Sequence, residues 1–271
     1  MSSLFSRTFV HAAAITLGLL GACAHPAPPP HPGQATSTAG PEAGKTQLAL
    51  VGDFDPIADR LRTDPVADAI DAIRRNDFVG ARALLEPLVA HVPAGWAAES
   101  RSGKRIAFAA WRMADVIALA VRASSEAGVE EIAWIGPSYS HAYGLLAYMA
   151  VEEQDLARAA SLLDAGIALE PYPDLLSERG TVAIQQRDPA AAIALFERAI
   201  AATGADAAQQ ARAWRGKGEA LIALEKLDDA ERAFARSLEL EPGNALAKNE
   251  LEYIRGVREG TIKPSDSQIM H

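Results

Sequence analysis

Three stretches of this chain, 140–173, 173–206 and 211–244, can be laid over one another with their small and aromatic residues in register. In the clearest of them, 211–244, Trp214, Gly218 and Leu221 share one face of a first helical segment. Ala230, Phe234 and Ser237 share one face of a second. Leu227-Asp228-Asp229 read as the turn between them, the carboxylates suiting a helix N-terminus, and Pro242-Gly243-Asn244 stop the chain. In 173–206 the matching places hold Leu176, Gly180, Ala183, Ala192, Phe196 and Ala199, with Asp188-Pro189 as an N-cap and first-turn proline. In 140–173 they hold Tyr143, Leu146, Ala147, Ala150, Ala159, Leu163 and Pro171. One such unit cannot bury its apolar face alone. Units must stack, and about three are the minimum for a stable array. From Asp64 onward the apolar residues recur at the helical period, with no long alternating β-branched run to compete.

The spacing of Trp214, Gly218, Ala230, Phe234 and Pro242 resembles the tetratricopeptide repeat, a helical hairpin of about 34 residues. Lys217 and Leu221 stand where that family usually has Leu and Tyr. The resemblance implies an all-α fold, a right-handed solenoid of antiparallel helical hairpins. Three repeats plus a C-terminal capping helix (Asn244 to Glu259) would occupy 140–259, and 260–271 would be a disordered tail. Its packing positions would be Tyr143, Ala147, Ala159, Gly180, Ala192, Phe196, Trp214, Gly218, Ala230 and Phe234. In this family the first helix of each unit lines a concave groove. Carried over, that groove comprises His141, Tyr148 and Glu152, then Asp174, Ser177, Thr181 and Gln185, then Arg212, Arg215 and Glu219. Its middle reads as acidic or neutral and its end, at Arg212, Arg215 and Lys217, as basic, which suits a peptide with an acidic end.

Region 53–139 reads as helical but irregular. Ala69, Ala72, Ala81, Leu85 and Pro93 sit at repeat-like offsets, so 62–93 is expected to form a degenerate first repeat, kinked at Pro87. Gly95 to Gly103 are expected to loop. Lys104 to Ala127 are expected to form one long apolar helix carrying Phe108, Trp111, Val116, Ile117 and Leu119, followed by an irregular connector.

The N-terminus reads as an address. Arg7 precedes the apolar run Thr8 to Leu20, too short to span a bilayer and typical of a secretory signal. The run ends in Leu20-Gly21-Ala22-Cys23, which resembles the lipobox of bacterial lipoproteins. That resemblance implies a signal peptide at 1–22, cleavage before Cys23, and lipid chains such as palmitate on that residue, anchoring it in a lipid bilayer. Ala24 stands where Asp would retain such a protein at the inner membrane, which implies the outer membrane, facing the periplasm. Residues 23–52 form a Pro/Gly/Ser-rich tether, in which His25 and His31 are expected to be solvated.

Composition narrows the functions. With 26 Lys+Arg against 35 Asp+Glu the chain has no electrostatic case for binding nucleic acid. A lone Cys excludes an internal disulfide framework and a Cys-based zinc site. No nucleotide loop or nucleophile elbow is present, and no two histidines have metal-binding helical spacing. Asp53, Asp55 and Asp59 lack the glycine and terminal Glu of a calcium loop, and Asp64, Asp68 and Asp71 read as a solvated helix face. No metal or cofactor is expected. Ser138, Tyr139, Ser140, His141 and Tyr143 crowd beside Trp134, but local spacing supplies no carboxylate to orient His141 as a base. A packed elbow is the simpler account. The chain is thus expected to be a membrane-anchored periplasmic scaffold and not an enzyme. It would bind a protein or peptide of the cell envelope, in pilus or secretion-channel, barrel or cell-wall assembly. The alternatives are an envelope enzyme or carbohydrate binder with a pocket around 104–143, and a structural homo-oligomer.

Overall fold

The computed structural model describes residues 49–51, 54–55, 60–61, 64–202 and 205–262. Cys23, the signal-like segment, most of the tether and residues 263–271 lie outside the described residues. Short strands β1 (Ala49–Val51), β2 (Phe54–Asp55) and β3 (Arg60–Leu61) lead into a helical hairpin, α1 (Pro65–Arg74) and α2 (Phe78–Ala90). Then come β4 (Glu99–Ser102), β5 (Arg105–Phe108), α3 (Met113–Ser124) and β6 (Glu131–Trp134). Three further hairpins follow: α4 (Tyr139–Glu152) with α5 (Leu156–Leu169), α6 (Pro173–Gln185) with α7 (Pro189–Ala201), and α8 (Ala207–Ala223) with α9 (Leu227–Leu240). Helix α10 (Ala245–Arg258) packs on α9 through Ala247 and Ile254. No described helix is long and apolar enough to cross a membrane.

The four hairpins turn in one way. Each first helix ends at a non-glycine residue with positive φ: Asn76 (64°), Gln154 (62°), Arg187 (62°) and Glu225 (59°). The next amide then reaches back to the last turn, Asp77 to Ala72, Asp155 to Ala150, Asp188 to Ala183 and Lys226 to Leu221. This is the Schellman closure, which satisfies carbonyls that a helix end would leave bare. In the first three turns that same residue is an aspartate capping the second helix, its carboxylate accepting from the amide of Gly80, Arg158 or Ala191. The fourth uses Lys226 and makes no side-chain cap. Helix α9 therefore starts at Leu227, and the turn lies just before the Leu-Asp-Asp expected to form it. The α1–α2 hairpin shares this signature and packs on α4, with Val66, Ala69 and Leu85 against Leu145 and Met149.

Aromatic rings seated on glycines set the spacing between hairpins. Phe196 on α7 is fully buried, and its ring lies against Gly180 of its own hairpin and Gly216 of the next. A Cβ at Gly216 would stand 2.3 Å from Phe196 Cζ, and one at Gly180 2.8 Å. Phe234 repeats the arrangement on Gly218, at 2.7 Å. Ala147, Ala159, Ala192 and Ala230 are buried where helices cross. Tyr143 donates from its hydroxyl to the Val89 carbonyl (3.3 Å), and Trp214 packs half-buried beside Phe234.

Between the first and second hairpins the chain departs from the expected long helix at 104–127. It forms instead a four-stranded sheet of order β1-β6-β5-β4, with β6 parallel to β1 and β5, and β4 antiparallel to β5. Helix α3 makes the crossover from β5 to β6, and Val116, Leu119 and Ala123 cover Ile106, Phe108, Ile132 and Trp134. Only 113–124 of the expected helix is helical. The reason is visible in β5, where exposed Arg105, buried Ile106, half-buried Ala107 and buried Phe108 alternate with a period of two. Gly103, at φ 58°, turns the β4–β5 hairpin where a plain loop was expected. The connector 129–140 likewise contains β6, which is buried on both sides by its neighbours.

Candidate partner-binding groove

The first helices α4, α6 and α8 lie side by side, Gly144 of α4 against Leu175 of α6, and Gln209 of α8 on Asp174 of α6. They carry His141 and Asp174 in their first turns and Arg212 in the second turn of α8, residues that share one offset in successive repeats. None is free. His141 is 4% exposed, its ring stacked on Trp111 at 4.2 Å with the planes 4° apart, and its Nε2 has no hydrogen-bond partner. Burial, then the nearby Arg112 guanidinium, pushes this imidazole down to about 3. Asp174, also buried, accepts from Gln209 Nε2 at 2.9 Å and lies 3.7 Å from Arg212 Nη1. Arg212 donates to Glu178 one turn further along α6.

Further along the groove Ser177 is buried and its carbonyl accepts from Thr181 Oγ1 (3.1 Å), so this pair braces α6. Gln185 and Glu152 are exposed at the far ends of their helices. Tyr148 packs edge-on to Phe78 at 6.3 Å and belongs to the α1–α4 core as much as to a surface. Glu219 is half-buried, and desolvation, reinforced by Glu250 on α10, pushes its carboxyl up to about 7.

The basic end expected at Arg212, Arg215 and Lys217 is closed by internal pairing. Arg215 donates to Ser237 and to Glu241, tying α8 to the last turn of α9. Lys217 pairs with Glu197 at 2.7 Å and lies 5.3 Å over the Trp214 ring. Each of these cations thus already meets a carboxylate of the fold, Glu178, Glu241 or Glu197, which leaves less charge for an acidic peptide end. Among the described residues no group of three His, Cys, Asp or Glu side chains could hold a metal ion.

Sequence reasoning missed the residues that organise the groove's rim. Trp111 lies in the bend before α3, its ring sandwiched between His141 of α4 and Tyr172 (4.1 Å), the N-cap of α6. Its indole Nε1 donates to Ser140 Oγ at 3.2 Å, and Ser140 in turn donates to Glu170. Arg112 reaches Asp206, the N-cap of α8, at 3.4 Å, and Tyr172 donates from its hydroxyl to Asp115 at 2.8 Å. The Ser-His arrangement considered for catalysis is not formed. The imidazole is taken up by Trp111, while Ser138 Oγ accepts from the His141 backbone amide (3.3 Å) and stands 3.2 Å from Ser140 Oγ. Glu170 is the carboxylate that local spacing could not supply, but it meets Ser140 rather than His141. Around Trp111 and His141 the 104–143 region is thus packed with stacked rings.

Residues 177–245, spanning α6 to α9, match the tetratricopeptide-repeat family model. No curated protein sequence matches the chain significantly. Among solved structures, the first TPR domain of the human RPAP3 protein is 26% identical, with a TM-score of 0.43, covering 49% of this chain and 99% of that one. The Sgt2 TPR domain from Aspergillus fumigatus is 20% identical, with a TM-score of 0.41 and 45% and 81% coverage. PilF of Pseudomonas aeruginosa is 15% identical, with a TM-score of 0.49 and 74% and 70% coverage. The repeated turns and the ring-on-glycine packing extend the pattern of the matched segment, so the helical array is tetratricopeptide-repeat-like, with the family match itself covering residues 177–245.

Proposed function

We propose that this chain is a scaffold that binds a protein or peptide partner along α4, α6 and α8, held at a membrane by lipid on Cys23. The observation that carries the binding part is the match of α6 to α9 to a repeat family built for protein contacts, on helices whose shared face is polar and braced. The internal pairing of Arg212, Arg215 and Lys217 leaves Thr181, Gln185, Glu152 and Glu219 as the groups a partner would meet. The anchoring part rests on Leu20-Gly21-Ala22-Cys23 and the proline-rich stretch after it. Ala24 favours the outer membrane and its periplasmic side, where assembly of a pilus, secretion channel, barrel or cell wall needs such adaptors.

Two measurements test this. A photo-crosslinking residue at Gln185 in living cells is expected to give one discrete adduct, and the same residue at Arg232, exposed on α9, none. Equal adducts from both positions, or none from either, would count against a groove-bound partner. Cys23→Ser is expected to abolish palmitate labelling and move the protein from the membrane to the soluble fraction. Unchanged membrane retention would remove the anchor.

A further inference from the structure

At the N-terminal ends of α4 and α6 the space between the first helices is filled by the chain itself, through Trp111. Residues at one offset in three successive first helices, His141, Asp174 and Arg212, are covered or engaged rather than open to solvent. Asp174 and Arg212 are engaged by each other, by Gln209 and by Glu178, whereas His141 is covered by Trp111, in the bend that the sheet module delivers between β5 and α3. Trp111, 6% exposed, fills a slot walled by the His141 and Tyr172 rings at 4.2 and 4.1 Å. Arg112 follows it onto Asp206 at the start of α8, and Asp115 takes the Tyr172 hydroxyl. Three helices from three hairpins are therefore met by five consecutive residues.

We propose that Trp111–Asp115 is an autoinhibitory occupant of the groove rim, standing in for a partner segment in which an aromatic residue is followed by a basic one. The slot supplies two flat rings for an aromatic side chain, and the acidic N-caps and first turns beyond it supply carboxylates for a guanidinium or ammonium group. Of these, Asp206 accepts from the Gln209 backbone amide at 2.8 Å and so remains placed when the segment leaves, whereas Asp115 leaves with it. A partner gains the rim only in the fraction of molecules whose bend is displaced, and its apparent affinity is reduced by that fraction. The proposal rests on α4, α6 and α8 being a binding surface, and its test needs no identified partner.

The probe is a fluorescent synthetic peptide of residues 108–116, titrated into the folded chain carrying Trp111→Ala and Arg112→Ala, and into the unaltered chain. The doubly substituted chain is expected to bind it at least about tenfold more tightly than the unaltered one, because the internal competitor is gone. A peptide with Ala in place of its tryptophan is expected to bind neither. Equal binding to both chains, or none to the substituted chain while its helical circular dichroism is intact, would overturn the proposal. If that variant does not fold, Trp111→Leu with Arg112→Ala, which keeps apolar volume but no aromatic ring in the slot, takes its place in the same titration. Should both unfold, the bend is a structural joint and the proposal fails. A Gln185 adduct formed in cells while the substituted chain fails to bind the peptide would overturn this proposal and leave the groove-bound partner standing.

Discussion

Replacing Phe196 by Ala is expected to destabilise the array by about 3–5 kcal/mol, the cost of deleting a fully buried ring. In a body of this size that corresponds to a fall in Tm of about 10 °C. The more telling measurement is Gly216→Ala, because its sign should depend on Phe196. In the unaltered chain a Cβ at 216 would stand 2.3 Å from Cζ and 2.4 Å from Cε1 of that ring. Nothing short of moving a buried phenyl accommodates it, and overpacking of this kind costs about 1–3 kcal/mol. With Phe196→Ala in place the obstacle is gone, the new methyl enters the space left by the ring, and a mid-helix Gly→Ala change contributes about 1 kcal/mol of helix propensity. Gly216→Ala should therefore destabilise one background and stabilise the other, a coupling of about 2 kcal/mol or more in urea unfolding. Additive behaviour would show that the ring does not set the spacing between the second and third repeats.

That contact also marks where the repeat pattern could be read and where it could not. Gly180, Gly218, Phe196 and Phe234 lie at fixed offsets within single repeats, and their local spacing carries the information. Gly216 is matched to a ring from the preceding repeat, and nothing within its own helix separates it from Gly218. The sheet module was illegible for a related reason. Residues 105–108 and 131–134 are four-residue strands, too short for alternation to outweigh the surrounding Ala, and they are stabilised by pairing with each other, and β6 also with β1, across 26 residues or more. Helix propensity around Ala107, Ala109 and Ala110 pointed the wrong way, and tertiary pairing overrode it.

The groove was half legible. Offsets carried from the repeat placed His141, Asp174 and Arg212 on adjacent helices, where they are, but offsets say nothing about what else packs there. The segment that covers His141 comes from outside the repeats, so no periodicity could foretell it. Two local signals existed. Arg112-Met113-Ala114-Asp115 before an apolar run is a helix start, with Asp115 accepting from the Arg112 amide at 3.0 Å, which excludes Trp111 from any helix. Pro171-Tyr172-Pro173 fixes the backbone beside Tyr172 and so presents its ring at the start of α6. Neither signal names the partner of the other.

Acid should weaken this fold through His141, and His141→Phe should remove that sensitivity. In the native state the imidazole is held neutral down to about pH 3, by burial and then by Arg112, against 6.5 when unfolded. Below pH 6.5 the unfolded chain takes up a proton that the native chain refuses, so stability is full above that pH and is lost as pH falls. At about 1.36 kcal/mol per pH unit the loss reaches roughly 3 kcal/mol by about pH 4. Phenylalanine keeps a flat ring against Trp111 and leaves no buried Nε2, so the variant should match its parent within about 1 kcal/mol at pH 8 and exceed it by roughly 3 near pH 4. Glu219 works in the opposite sense. Its carboxyl, raised from 4.5 to about 7, gives stability that is present below 4.5 and lost as pH rises through 7. Glu219→Gln should therefore stabilise the chain at pH 8, by at most about 3 kcal/mol given its partial exposure, and do nothing near pH 4. Between 4.5 and 6.5 the two slopes oppose, which makes the parent curve shallow and the single variants steep in opposite directions. Parallel curves for His141→Phe and its parent from pH 7 to 4 would mean that the ring is not buried against Trp111, and the account of the rim would go with it.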